Sequence, residues 1–169
     1  MKSTIKLKMS TKIICFIMAS LIITGFLCQM PAESKNISCK SLCGTALKAA
    51  GNFKNLEYQS DDAIDFGAFS ASDRTKVKNI QYVYDSKEVY SLCVLQARNN
   101  AGAKSLLKQL QKYKKNNCSS DYLNDYSSTE QNVFKNAICG RKGSYVWYIA
   151  MSATKQVNIN AQKAIKKKL

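Results

Sequence analysis

Histidine is absent from this 169-residue chain, proline and tryptophan occur once each, and acidic residues number 11 against 26 Lys+Arg. Without an imidazole, a Ser-His-Asp triad, a Cys-His pair and every zinc site that needs His are excluded, because each assigns the ring a proton or lone pair that nothing here supplies. Much hydrolase chemistry goes with them. No CxxC spacing occurs, so a thioredoxin-like redox pair and a zinc ribbon lack their ligands. What is present suffices to fold: at 46% hydrophobic and 22% charged, enough apolar surface exists to offset the entropy of ordering a core. One compact domain after a short leader is the expectation.

The leader is read from charge and hydropathy. Residues 1 to 12 carry Lys2, Lys6, Lys8 and Lys12 without an acid, and an almost unbroken apolar run, IICFIMASLIITGFLC, fills 13 to 28 before the polar PAESKN. These are the basic and hydrophobic regions of an export signal. As a helix the run rises roughly 24 Å, short of the ~30 Å hydrocarbon core. Residues 1 to 32 are therefore expected to be an export signal or a retained signal anchor, which places everything after residue 32 outside the membrane. Cys28 is the candidate lipidation site, with Leu27 standing where lipoprotein peptidases take a small residue.

Beyond residue 32 there remain 22 basic and 11 acidic residues. An exported cation of this strength meets anionic lipid headgroups, wall polymers or acidic glycans, with a salt-dependent attraction, and no nucleic acid partner is expected. The same region holds Cys39, Cys43, Cys93, Cys118 and Cys139. An odd number does not make a fully paired framework. Cys39 and Cys43 are one helical turn apart, near the outer limit for a disulfide, and Cys93 sits in the apolar VYSLCVLQA, where it reads as a small buried hydrophobe.

Periodicity predicts an α+β domain over 33 to 169. Residues 38 to 50 place Leu42, Ala46, Leu47 and Ala50 on one face and end at Gly51, a helix with its stop signal. The acidic stretch 57 to 73 reads as loop with short irregular turns. Segments 79 to 84 and 89 to 97, rich in β-branched and aromatic residues, flank Asp85 to Glu88 as a hairpin. Residues 101 to 116 form the clearest helix. Ala103, Leu106, Leu107, Leu110 and Tyr113 line one side, and Lys104, Lys108, Lys112 and Lys115 the other. Ser127 and Glu130 match a capping box that opens a helix through Ile138, closed by Gly140. Residues 145 to 151, YVWYIAM, are apolar on both faces, as a central strand would be. A basic amphipathic helix at about 154 to 168 ends in three lysines. The expected architecture is a two-layer sandwich. In it a three-stranded antiparallel sheet (79 to 84, 89 to 97, 145 to 151) is covered on one face by the helices at 101 to 116 and 128 to 138, with Trp147 buried.

The succession of Arg98 with Asn99, the Lys104 to Lys115 helix, Tyr122 with Tyr126 and Glu130, and Gly143 with Tyr145 and Val146 resembles an exported bacterial family called domain of unknown function 4358. The resemblance runs from about residue 75 to 155. It implies an extracytoplasmic location and this fold, and it assigns no catalytic residue.

Together these readings point to an extracytoplasmic, membrane-proximal protein of the bacterial envelope, a binding or scaffolding module without catalysis or cofactor. Its contact with an anionic membrane surface or cell-wall polymer would run through Lys104, Lys108, Lys112 and Lys115, helped by the lysines at 166 to 168. Two alternatives stand beside it. A secreted cationic effector acting on membranes would need amphipathicity beyond the last fifteen residues. A carboxylate-dependent glycosidase would need Asp61, Asp62 or Asp65 to find a partner such as Asp121 or Asp125.

Overall fold

The computed structural model describes residues 36–60 and 67–169. In chain order these form α1 (Cys39–Ala50), β1 (Leu56–Gln59), α2 (Ala71–Arg74), β2 (Val77–Asp85) and β3 (Ser91–Ala97), then α3 (Asn100–Asn116), α4 (Ser120–Leu123) and α5 (Ser128–Lys135), and finally β4 (Ile138–Lys142), β5 (Tyr145–Ala150) and α6 (Lys155–Lys168). The fold is α+β. Its sheet has five antiparallel strands in the order β1-β2-β3-β5-β4. The three strands legible in the sequence are the inner three, adjacent as expected.

Both edge strands escaped the reading, for different reasons. β1 is four residues, Leu-Glu-Tyr-Gln, of which three are exposed, so it carries no alternation of buried and exposed positions to betray it. β4 reads Ile-Cys-Gly-Arg-Lys and follows a genuine capping box, which pulled the helix boundary forward to Ile138. In the structure α5 stops at Lys135, with Asn136 as its cap. The Asn136 side chain donates to Ala153 O at 2.7 Å, which diverts the chain into β4. Gly140 therefore lies in mid-strand opposite Trp147 and ends no helix.

The expectation of one covered face is also corrected: helices lie on both faces, giving three layers. Leu92 and Val94 of β3 point to one side and Cys93 and Leu95 to the other, and all four are fully buried. A strand apolar on both faces needs two covers. On one side α1 supplies Leu42, Cys43 and Ala46 and α6 supplies Ala161 and Ile165, packed on Leu92, Val94, Trp147 and Ile149. On the other side α3 supplies Ala103, Leu106 and Leu110 and the α5 region Val133 and Ala137, packed on Cys93, Leu95, Val146 and Tyr148.

Local chemistry fixes the element ends. Ser38 Oγ accepts from the Ser41 amide at 3.2 Å to open α1, and Gly51, at φ 137, closes it. The β4–β5 turn places Gly143 at φ 58, the positive value a two-residue hairpin needs. Asn158, wholly buried in α6, donates to Asn136 O and Ser152 O and accepts from the Met151 amide, each at 3.0 Å. One amide thus stitches the start of α6 to the strands beneath it. Among the described residues no helix is long and apolar enough to cross a membrane. The expected signal or anchor over 1 to 32, with Cys28, lies outside the described residues.

Candidate binding surface

The α3 helix brings the four sequence-predicted lysines together. Asn99 caps it, Oδ1 accepting from the Gly102 amide at 2.7 Å, and the buried Ala103, Leu106 and Leu110 fix its rotation against the sheet. Lys104, Lys108, Lys112 and Lys115 are then all exposed on the outer side, in a row roughly 16 Å long at 1.5 Å per residue. Among the described residues the ion pair is Lys76 with Asp73 at 2.8 Å, and none of the four lysines pairs with a carboxylate. Lys114 differs from its neighbours: its Nζ donates to Ala137 O at 2.6 Å and ties the end of α3 to the start of β4.

Two clefts flank the row. One of about 390 Å³ is bounded by Gln109, Lys112, Tyr113 and Asn116 of α3 and by Phe69, Ser70 and Asp73. Burial works to raise the pKa of Asp73, but hydrogen bonds from Lys76 and Ser70 outweigh it and hold the carboxyl below its ordinary value. The other, of about 360 Å³, opens at the start of α3 between Lys76, Arg98, Asn99 and Ser105. The lining of the first cleft is mostly polar and that of the second mostly apolar.

The lysines at 166 to 168 are not part of this surface. They belong to α6, whose buried residues pack on the sheet face opposite α3. The two groups of lysines thus belong to helices on opposite faces of the sheet.

Tyr122 and Tyr126 are accounted for by packing. Their rings and that of Phe134 form a triangle with centroids 5.0 to 5.4 Å apart, and Tyr126 OH donates to Tyr122 OH at 3.2 Å. Glu130 completes the capping box: its Oε2 accepts from the Ser127 amide at 2.8 Å and the Ser127 hydroxyl at 2.6 Å, which lowers its pKa. Of the carboxylates considered for glycosidase chemistry, Asp121 and Asp125 are exposed, and Asp61, Asp62 and Asp65 lie outside the described residues. Among the described residues no group of three or more Cys, Asp or Glu is placed to hold a metal ion.

The five described cysteines are all unbridged. Cys39 and Cys43 stay on consecutive turns of α1 and point their thiols at Asn79 O and Gln81 O, each at 3.6 Å. Burial pushes the Cys39 and Cys139 thiols up to about 11 and raises Cys43 and Cys93 further. Reaction needs the thiolate and access to it. Alkylation of the folded protein at pH 8, read by peptide mass, is therefore expected to label the half-buried Cys118 first among these five. Cys39, Cys43 and Cys93 should stay unlabelled until denaturant is added.

Sequence reasoning missed the Tyr145 hydroxyl, which accepts from the Ile37 amide at 2.9 Å and donates to Ile37 O at 2.8 Å. The contact spans 108 positions, and no local pattern signals it. Comparison with known proteins returned no matching family model, curated protein or solved structure.

Proposed function

We propose that this chain is an exported, membrane-proximal binding module of the bacterial envelope, without catalysis of its own, whose α3 face takes up an anionic polymer or surface. The supporting observation is the row Lys104, Lys108, Lys112 and Lys115, exposed together on a helix whose other side buries Ala103, Leu106 and Leu110. Ammonium groups at successive helical turns repel one another by a few tenths of a kcal/mol per pair, a cost that an anionic ligand removes. A packed helix also holds the charges in register, whereas a mobile tail would lose entropy on binding. The basic leader and apolar run of the sequence support the location, and the absence of His supports a role outside His-dependent chemistry.

Replacing the four lysines by Gln tests the reading. Each cation near an anionic surface contributes up to about 1 kcal/mol at low ionic strength, so retention on wall polymer at low salt should fall by two to three orders of magnitude, about 1.4 kcal/mol per decade. The melting temperature should stay equal or rise slightly as repulsion is removed. Unchanged retention would make the row a solvated face and nothing more.

A further inference from the structure

A second cationic cluster lies at the corner where the described chain begins. The β4–β5 turn, the last turn of α6 and the first turn of α1 meet there and bring together Arg141, Lys142, Lys166, Lys167 and Lys168, while Lys40 turns to the β1–β2 edge beside Tyr58, Ser60 and Gln81. Hydrogen bonds join these elements. Lys142 Nζ donates to Lys166 O at 2.8 Å, and Lys168 Nζ reaches across to Ser41 Oγ at 2.7 Å and Thr45 Oγ1 at 3.0 Å. Arg141 Nη1 donates to Gly143 O at 2.8 Å. None of the seven described acidic residues shares the corner. Asp73 is on α2, Glu57, Asp85 and Glu88 are at the far end of the β1–β2–β3 ladder, and Asp121, Asp125 and Glu130 are on α4, α5 and the turn between them. The same corner receives the chain, because Ile37 is held on Tyr145 at the start of β5.

We propose that this corner docks on the headgroups of the anionic membrane that holds the leader, so that the domain stands on the bilayer by its β4–β5 turn and the end of α6. The proposal rests on the exported, membrane-proximal reading and adds to it an orientation and a lipid contact. Charge complementarity selects an anionic surface, and chain length selects the membrane. From Cys28, the end of the apolar run, to Ile37 the backbone spans at most roughly 30 Å, which keeps the corner at a high effective concentration above the lipid. The α3 row is left free, since α3 starts near this end at Asn99 and climbs away to its tie at Ala137, on the other side of the sheet. One end meets lipid while the side presents lysines to a polymer.

The test uses the full-length chain in vesicles of phosphatidylcholine alone or mixed with phosphatidylglycerol, with amide hydrogen exchange read by peptide mass. Anionic vesicles should slow exchange around 37 to 41 and 142 to 145 relative to neutral ones, and the difference should vanish near 1 M salt, where the Debye length falls to about 3 Å. Lys166→Gln/Lys167→Gln removes two side chains that make no hydrogen bond among the described residues. It should lower the docked-to-undocked ratio on the order of 25-fold, about fivefold per lysine, without changing the melting temperature. The four-Gln variant of α3 should dock as the parent does. Equal exchange in the two vesicle types, slowing along 104 to 115 instead, or equal slowing by soluble poly(glycerol phosphate) would each overturn the lipid contact. Flotation with neutral vesicles reports on the leader alone: a chain that stays behind overturns the membrane-proximal reading and this docking with it.

Discussion

Truncating Trp147 to alanine is expected to cost the fold roughly 3–5 kcal/mol, the largest loss of any single substitution considered. The side chain is wholly buried between the sheet and α6. Its indole N–H donates to Gln162 Oε1 at 3.1 Å. Removal leaves both a cavity among Leu92, Ile149 and Ile165 and a Gln162 carbonyl without its donor, and the two penalties add. Chemical denaturation followed by circular dichroism measures the loss. Because this is the only tryptophan, the parent's emission should be that of a shielded indole and shift to the red on unfolding. A water-exposed emission from the folded protein would contradict the packing.

Gly140→Ala is expected to destabilise by about 1–3 kcal/mol or somewhat more, a large effect for one methyl group. A Cβ on Gly140 would lie 2.4 Å from Trp147 Nε1 and 2.5 Å from Gln162 Oε1. The Gln162 end can swing aside at the expense of its hydrogen bond, but the indole is wedged in the core and cannot. The glycine is thus required by the close approach of the ring across the β4–β5 ladder. This couples the two positions: in a Trp147→Ala background the cost of Gly140→Ala should largely disappear. Additive losses in the double-mutant cycle would show that the methyl group meets something other than the indole.

Gly140 also marks where the sequence misleads. A capping box at Ser127 and Glu130 followed by a glycine ten residues on is what a complete helix looks like locally, and the box is indeed formed. The signal that α5 ends early is the Asn136 contact with Ala153, a residue in the connection after β5. Strong local patterns were legible: the amphipathic α3, the doubly apolar β5, the stop of α1 at Gly51 and the burial of Trp147. Features decided by distant partners were not, among them the two edge strands, the second helical layer and the Ile37–Tyr145 contact. The same division holds for the candidate surface. The lysine row of α3 obeys one helix's periodicity and could be read directly, whereas the corner cluster gathers residues from positions 141, 142 and 166 to 168 that only the topology makes neighbours.

The double hydrogen bond from Tyr145 to Ile37 has a mechanical consequence. Any tension applied through the residues before Asn36 meets this phenol before it reaches α1, and the phenol hands the load to β5. That strand is flanked by β3 and β4 in antiparallel ladders of six and five residue pairs, so the force is spread over two rows of backbone bonds. Tyr145→Phe leaves the ring in place and removes the hydroxyl clamp, after which a pull from the N-terminal side would begin to unzip α1 from its first turn while the sheet stayed intact.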